Sequence, residues 1–288
     1  MLEVDRIIHA DCVTALTELP DDCIDLIFTS PPYADNRKTT YGGIAIERYV
    51  EWFLPISSQL RRVLNPQGSF VLNIKERAAN GERQTYVLEL ILAMKKQGWV
   101  WTEEYIWHKK NCYPGKWPNR FRDAWERCLH FTKHKKFKMF QEAVMVPVGK
   151  WAEKRLSKLS DTDLIRDVSR VGSGFGKNVS HWVGKEYVYP TNVLYLATEC
   201  ANRGHSASFP VSLPGWFIRL FTEEGNLVLD PFVGSGTTAI ACIDLHRHYI
   251  GIEAMKQYYD LAVESIGRAE PGLRGAAGSE KQLSMRLV

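Results

Sequence analysis

The sequence predicts an α/β fold in which a mostly parallel sheet is covered by helices on both faces. Near the amino terminus, short apolar runs of strand length alternate with segments of helical periodicity. The same alternation returns near the carboxyl terminus. With 45% apolar and 24% charged residues among 288, the composition is that of a globular chain with a sizeable core.

The first arm of the chain supplies four predicted strands and three predicted helices. The strands are Arg6–His9, Asp25–Thr29, Ser69–Ile74 and Val100–Trp107. The helices are Val13–Leu19, Tyr49–Leu64 and Tyr86–Lys96. The second strand is apolar and stops at a proline pair, which predicts a buried strand with an abrupt end. The sequence Asn65-Pro66-Gln67-Gly68 is expected to end the second helix in a turn.

The second arm repeats this organisation after a middle region without clear periodicity. Its predicted elements are the helices Leu213–Phe221, Ala239–Leu245 and Tyr258–Ile266 and the strands Leu227–Leu229 and Tyr249–Ile252. We therefore expect one domain in two parts, residues 1–132 and 191–270, interrupted by a basic insert at 133–190. The Gly- and Ala-rich tail at 271–288 is expected to be disordered.

Several classes of protein are excluded by the pattern. No apolar stretch is long enough to span a membrane, and the first residues lack the pattern of a signal peptide. The six cysteines are scattered without a CxxC pair, so we expect buried thiols rather than disulfides or a metal site. These features predict a cytoplasmic protein that needs no metal and contacts no membrane.

The positive charge is concentrated in the middle of the chain. Between Lys109 and Lys177 there are 17 basic and seven acidic residues, whereas the remainder has a net charge of −6. Aromatic residues are interleaved with the basic ones, for example Trp117, Phe121 and Trp125. A mixture of basic and aromatic side chains is typical of a nucleic-acid contact surface. A plain solvated basic face is the alternative.

A glycine-rich loop follows the first strand of the second arm, in the segment Asp230-Pro-Phe-Val-Gly-Ser-Gly-Thr-Thr238. Glycines let the backbone approach a ligand closely, and the following helix offers free N–H groups. The loop lacks the lysine of a nucleotide-triphosphate loop. Glu253 ends the next strand, where a carboxylate can accept hydrogen bonds from both ribose hydroxyls. The pattern predicts a nucleoside-containing cofactor.

The segment Ser30-Pro31-Pro32-Tyr33 directly follows a buried strand. Two prolines extend the backbone and remove two N–H donors, so their carbonyl oxygens are expected to be free acceptors. With the Ser30 hydroxyl and the Tyr33 ring, this set suits an amino group on a planar base. Hydrogen bonds to the amino protons favour a nitrogen lone pair that can attack an electrophile. A proline-stiffened turn with a packed tyrosine is the alternative.

Together, Thr29-Ser-Pro-Pro-Tyr33 and the glycine loop resemble the catalytic and cofactor motifs of the amino-directed DNA methyltransferases. The catalytic motif comes first and the cofactor motif last, an order that resembles the circularly permuted beta group of restriction-modification enzymes. The resemblance extends to Asp11-Cys12, to His205-Ser-Ala-Ser-Phe-Pro210 and to the segment Trp125–Lys133. It implies a Rossmann-like methyltransferase fold with an inserted target-recognition region.

The resemblance also implies a role for each motif residue. Ser30 and Pro31 would bind the amine, beside Pro32, and Tyr33 would stack on a base flipped out of duplex DNA. S-adenosyl-L-methionine would be the cofactor, with Glu253 at the ribose. The remaining implied cofactor residues are Asp11, Cys12, Thr29, His205, Ser208, Phe209, Asp230, Pro231, Phe232, Gly234, Ser235, Gly236 and Thr237.

The implied reaction is direct transfer of a methyl group to an exocyclic amine. Serine before Pro31 is more typical of cytosine N4 methylation, and adenine N6 stays open as the target. No cysteine lies in a Pro-Cys loop, which argues against methylation of a ring carbon. RNA, a protein glutamine, and a DNA-binding protein without catalysis are further alternatives. The family resemblance implies a cognate restriction endonuclease acting separately and a bacterial, archaeal or phage origin. Monomer and homodimer stay open.

Overall fold

A computed structural model describes residues 2–34, 43–112, 118–149, 154, 156–159, 183–198 and 209–269. The chain divides into a larger unit, residues 1–140 and 192–288, and a smaller unit, residues 141–191. Lys133 to Phe140, which the sequence pattern places in the insert, belong to the larger unit. The predicted tail at 271–288 lies outside the described residues.

Six α-helices of the described part belong to the larger unit. They are α1 (Cys12–Thr17), α2 (Tyr49–Val63), α3 (Tyr86–Lys96), α4 (Ser212–Phe221), α5 (Thr237–Asp244) and α6 (Lys256–Ala269). Helices α1 to α3 pack against one another, as do α4 to α6, so that the two sets cover opposite faces of the sheet. All six were predicted to within about three residues at either end.

The larger unit is built on an eight-stranded sheet. In chain order its strands are β1 (Arg6–His9), β2 (Ile24–Thr29), β3 (Leu64–Ile74), β6 (Val100–Lys109), β7 (Trp125–Thr132), β10 (Val193–Leu196), β11 (Leu227–Asp230) and β12 (His248–Glu253). Two short antiparallel pairs complete the described strands: the hairpin of β4 (Ala78–Ala79) with β5 (Glu82–Arg83), and the pair of β8 (Val146–Pro147) with β9 (Tyr187–Val188). The second pair belongs to the smaller unit.

The order of the strands in the sheet is β1-β12-β11-β2-β3-β7-β6-β10. Strand β7 runs antiparallel to both of its neighbours, whereas the other seven run in one direction. The predicted, mostly parallel sheet is therefore confirmed. We call the edge at which these seven strands end the carboxyl edge. It is marked by His9, Thr29, Ile74, Lys109, Leu196, Asp230 and Glu253.

The start of β3 differs from the prediction. Residues Asn65 to Gly68 continue the strand as an irregularity opposite Ile24–Leu26 instead of forming a separate turn. The Asn65 amide donates to the Asp25 carboxylate (2.6 Å), and a Cβ on Gly68 would lie 2.8 Å from the Asp25 carbonyl oxygen. A glycine is needed for this close approach of β3 to β2.

The core of the larger unit is continuous from the sheet to the helices. Side chains without exposed surface, such as Phe53, Leu60 and Phe70, fill the space under α1 to α3. On the opposite face, Phe217 of α4 stacks on Phe28 of β2 with ring centroids 5.5 Å apart. Because Phe28 lies two residues before Ser30, this packing fixes the strand from which the Ser-Pro-Pro-Tyr loop leaves the sheet.

Candidate active site

The Ser30–Tyr33 loop leaves β2 at the carboxyl edge. Pro31 is buried, and Ser30, Pro32 and Tyr33 are half-buried. The Tyr49 hydroxyl, at the start of α2, donates to the Pro32 carbonyl (3.0 Å). The expectation that both proline carbonyls are free is therefore wrong for Pro32. The Pro31 carbonyl accepts no hydrogen bond from the described residues, so it is an acceptor available to a ligand.

The Tyr33 hydroxyl is held by a buried carboxylate. It donates to Glu126 Oε2 (2.7 Å), and Lys109 Nζ donates to the other carboxylate oxygen, Oε1 (2.5 Å). The Ser30 hydroxyl donates to the Tyr33 oxygen over a longer distance of 3.4 Å. Burial, and secondly the Glu126 charge, raise the pKa of Tyr33 well above its usual value. The phenol is therefore a neutral donor at every physiological pH.

Three residues of this network were not identified from the sequence. Glu126 and Lys109 face Tyr33 because β7 begins, and β6 ends, at the carboxyl edge. Asn73 lies near the end of β3, with its amide oxygen 3.5 Å from the Tyr33 hydroxyl and its nitrogen donating to the Arg127 carbonyl (3.1 Å). A polar residue inside the apolar run Phe-Val-Leu-Asn-Ile was the available signal for Asn73.

The glycine-rich loop connects β11 to α5 at the same edge. Gly234 and Gly236 both have positive φ angles, 55° and 88°. A Cβ on Gly236 would lie 3.4 Å from backbone atoms of Ala262 in α6. The left-handed conformation, which glycine adopts without strain, turns the chain directly into the first turn of α5.

Asp230 ties the glycine loop to the Ser-Pro-Pro-Tyr loop. Its carboxylate accepts from the Thr29 hydroxyl (2.6 Å), the Thr238 hydroxyl (2.6 Å) and the Phe232 N–H (3.1 Å). Burial raises the pKa of Asp230 to about 6. Thr29 and Asp230 are 0% and 2% exposed. Their side chains therefore hold the two loops together, and the cofactor contact implied by the resemblance stays a prediction for both residues.

Glu253 lies at the end of β12 with both carboxylate oxygens oriented. Oε2 accepts from the Gly234 N–H (3.1 Å) and Oε1 from the Met255 N–H (2.8 Å). Burial raises the pKa of Glu253 above its usual value. Each oxygen has one acceptor position left, which is what two adjacent ribose hydroxyls require.

Asp11 and Cys12 lie beside this carboxylate because β1 pairs with β12. The Ala10 N–H donates to the Glu253 carbonyl (3.2 Å). Asp11 caps α1 by accepting from Val13 N (2.9 Å) and Thr14 N (3.3 Å). Cys12 is buried, and burial raises the pKa of its thiol to about 12, so it is a neutral packing group.

The other predicted cofactor residues of the glycine loop are close together. Phe232 packs on Trp52 of α2 with ring centroids 5.9 Å apart. The Ser235 and Thr237 hydroxyls are 3.4 Å apart, and Pro231 is buried.

Phe209 packs edge-to-face on Phe28, with ring centroids 5.3 Å apart. His205 and Ser208 lie outside the described residues.

Comparison with known proteins identifies the family. The family model of the N6/N4 DNA methylases matches residues 24–264. The chain belongs to this family of DNA methylases. This methylase is 29% identical over 275 residues to the type II methyltransferase M.PvuII of Proteus hauseri, covering 86% of the chain and 79% of that protein. It is 28% identical over 271 residues to the type II methyltransferase M.BglII of Bacillus subtilis, covering 91% and 69%.

Solved structures match the fold of the methylase. The PvuII DNA methyltransferase, described as cytosine-N4-specific, superposes with a TM-score of 0.69 at 24% identity, covering 98% of this chain and 90% of that one. An M1.HpyAVI complex with S-adenosylmethionine matches with a TM-score of 0.55 at 23% identity, covering 90% and 98%. The family resemblance and fold predicted from the sequence are thus confirmed.

Two negative findings concern the described part of the methylase. None of its helices combines the length and apolar character needed to cross a membrane. No group of three or more His, Cys, Asp or Glu side chains is arranged there to hold a metal ion. Of the cysteines that the structure describes, Cys12, Cys128 and Cys242 are buried, whereas Cys23 and Cys112 are half-buried.

Proposed function

We propose that this methylase transfers the methyl group of S-adenosyl-L-methionine to the N4 amine of a cytosine flipped out of duplex DNA. The observation that carries the proposal is the junction of the two loops. Strands β2 and β11 are neighbours. The Thr29–Asp230 hydrogen bond joins the Ser30–Tyr33 loop, which we call the amine-binding loop, to the glycine loop. A nitrogen held by the first loop can thus meet a methyl group held by the second.

The glycine loop and the end of β12 fit the cofactor. Glu253 supplies the paired acceptors for the ribose, and Gly234 and Gly236 keep the backbone free of side chains where the ligand approaches. Phe232 offers an aromatic surface, and the buried Cys12 an apolar one. When bound, S-adenosylmethionine supplies a methyl group on a sulfonium, which is already activated for transfer.

The amine would be oriented by Ser30 and Pro31. The Ser30 oxygen and the Pro31 carbonyl accept its two hydrogens, which directs the nitrogen lone pair towards the methyl group. A nitrogen–carbon bond would form as the carbon–sulfur bond breaks, and the methylated amine would then release its extra proton to water. Much of the rate enhancement would come from holding the amine and the methyl group in line. Flipping the base out of the duplex costs about a few kcal/mol, which binding must supply.

Cytosine is favoured over adenine by the residue before Pro31 and by the relatives. Serine stands at position 30, and the structural relative PvuII methyltransferase is described as cytosine-N4-specific. Adenine N6 is the second candidate, because the matched family includes methylases of both amines.

The proposal also covers the cellular location of the enzyme and its relation to a restriction endonuclease. Type II methyltransferases of Proteus hauseri and Bacillus subtilis are among the relatives, which supports a cytoplasmic enzyme in a bacterium. It also supports a cognate restriction endonuclease that acts separately on the same DNA.

Mass spectrometry of nucleosides tests the proposal. Duplex DNA of varied sequence would be incubated with the enzyme and S-adenosylmethionine, digested and analysed. N4-methylcytosine is the expected product. N6-methyladenine would keep the reaction and overturn the base, whereas methylation of RNA alone would overturn the DNA substrate.

A further inference from the structure

We propose that Glu126 is a positioning residue for the methyl transfer, acting on Ser30 through the Tyr33 hydroxyl and fixed in turn by Lys109. The inference rests on the proposed function, since it concerns the orientation of the same amine-binding loop. It assigns a role to two residues, Glu126 and Lys109, that lie on strands β7 and β6 rather than in either sequence motif.

The contacts form a directed chain. A carboxylate has no proton to give, so Glu126 accepts from Tyr33 (2.7 Å) and from Lys109 (2.5 Å). Because the Tyr33 proton is committed to Glu126, the Tyr33 oxygen can only accept, and the Ser30 hydroxyl donates to it (3.4 Å). Such contacts are often long without a substrate and shorten in the complex.

This direction determines what Ser30 can offer a substrate. With its proton turned towards Tyr33, the Ser30 oxygen presents its lone pairs, so it is an acceptor for an amine hydrogen. Without the Tyr33 oxygen, the Ser30 hydroxyl can rotate and present its proton instead. An O–H pointing at the amine would bind the nitrogen lone pair that must attack.

The carboxylate is well fixed for this purpose. Glu126 is 9% exposed, at the second residue of a strand that is paired on both sides. The Lys109 backbone N–H donates to the Ala124 carbonyl (2.7 Å), which joins the end of β6 to the residue before β7. Burying an unpaired carboxylate would cost free energy of folding. Here the charge of Glu126 is compensated by the Lys109 ammonium.

The test measures kcat, the dissociation constants of S-adenosylmethionine and DNA, and the unfolding midpoint for Tyr33→Phe and Glu126→Gln. The first variant keeps the ring for stacking and removes only the hydroxyl. The second turns an amide towards Lys109 or Tyr33, where one donor then faces another. We expect each to lower kcat about tenfold with both dissociation constants within about twofold of wild type.

The double variant separates positioning from general damage. If both residues act through one hydrogen bond, Tyr33→Phe combined with Glu126→Gln lowers kcat no further than either change alone. Losses that multiply in the double variant, or single variants with wild-type kcat, would overturn the inference. Should Glu126→Gln fail to fold, wild-type kcat in Tyr33→Phe is by itself enough to overturn it.

Two matched controls are available on β6. Tyr105 is a buried tyrosine packed against Phe217, and Glu104 pairs with Arg127. Tyr105→Phe and Glu104→Gln are expected to keep wild-type kcat. A wild-type enzyme without methyl transfer would count against the proposed function, whereas an active enzyme that is insensitive to both Tyr33→Phe and Glu126→Gln would count against this inference alone.

Discussion

At the residue scale, the amine-binding loop depends on a small number of acceptors. Tyr49 occupies the Pro32 carbonyl, which leaves the Pro31 carbonyl and the Ser30 oxygen for a substrate amine. The double proline achieves this by removing backbone donors that would otherwise compete. The sequence predicts Ser30 and Pro31 as these acceptors, but the difference between the two proline carbonyls depends on Tyr49, 17 residues from Pro32.

Replacing Ser30 should affect the chemical step. Ser30→Ala removes one of two acceptors, and we expect kcat to fall on the order of 10- to 100-fold, because the amine loses an interaction that strengthens as it attacks. The dissociation constant of S-adenosylmethionine should change less than twofold in calorimetry. Ser58→Ala, at an exposed position of α2, is the control. Unchanged turnover in Ser30→Ala would mean that the serine is structural.

Replacing Glu253 should affect the cofactor instead. Glu253→Ala removes both predicted ribose acceptors, so we expect S-adenosylmethionine to bind on the order of 10- to 100-fold more weakly, as for lost hydrogen bonds to a charged group. Calorimetry measures the change, with the exposed Glu264→Ala on α6 as control. A wild-type dissociation constant in Glu253→Ala would contradict the ribose assignment.

At the element scale, the Asp230 carboxylate joins β11 to β2 and makes the stability depend on pH. Its pKa is about 6 in the folded state against 3.8 ordinarily, so between these values the folded chain binds more protons than the unfolded one. The free energy of unfolding contributed by this group therefore falls as pH rises from about 4 to about 6. The full contribution is about 3 kcal/mol.

Asp230→Asn tests this dependence, because an amide does not titrate. We expect the difference in the free energy of unfolding, wild type minus variant, to decrease by about 2 kcal/mol between pH 4 and pH 7. Urea unfolding across this range measures it. A difference that stays constant with pH would show that the carboxylate titrates normally in the folded state.

The turn from β11 into α5 depends on Gly236. An alanine is strained at its φ of 88°, at a cost of about 1–2 kcal/mol, although its Cβ would make only an ordinary contact with Ala262 of α6. We expect Gly236→Ala to lower the unfolding midpoint and weaken S-adenosylmethionine binding. Gly267→Ala is the matched control within α6, where a Cβ meets no atom within 4 Å. It should stabilise the helix by about 0.5–1 kcal/mol. Equal effects of the two changes would contradict the role of Gly236.

The elements that the sequence predicted are those whose apolar pattern can be recognised within the element itself. Parallel strands such as β2 are mostly apolar and lie between recognisable helices. Strand β7 was not predicted, because Glu126 and His130 are polar yet buried, which hides the pattern of a covered strand. Their partners, Tyr33 for Glu126 and Ser69 for His130, are brought close only by the sheet. The missed Glu126 follows from this missed strand, and Lys109 and Asn73 were missed because their partners lie on it or on the Ser30–Tyr33 loop.

At the scale of the whole molecule, the basic run seen in the sequence is not one surface. Strand β7 starts at the carboxyl edge and ends at the opposite edge, so Lys133 pairs with Asp22 before β2, and Lys138 approaches Glu223. Counting charges along the chain could not reveal this, because one antiparallel strand carries the run across the sheet. Among the described basic residues of this run in the larger unit, those before β7 lie towards the carboxyl edge, whereas those after it do not.

DNA that delivers a base to Ser30 must approach the carboxyl edge. Phe121 is 97% exposed there, in the segment before β7, and is followed by the exposed Arg122. Exposed phenylalanine beside arginine suits contact with unstacked bases and phosphates. The exposed Lys135 and Lys136 follow the end of β7, at the opposite edge. The fold therefore predicts that Phe121 and Arg122 contribute more to DNA binding than Lys135 and Lys136 do.

A pair of double variants checks this prediction. We expect Phe121→Ala with Arg122→Gln to weaken duplex binding at least tenfold, since stacking on an aromatic ring is worth about 1–3 kcal/mol per base. The slope of the logarithm of affinity against the logarithm of salt concentration should decrease by about one for the lost phosphate contact. Lys135→Gln with Lys136→Gln removes more charge but should leave both affinity and slope near wild type. If the lysine pair weakened binding more than the pair before β7, DNA would have to contact the edge of the sheet opposite the amine-binding loop, and the direction of approach inferred from the fold would be wrong.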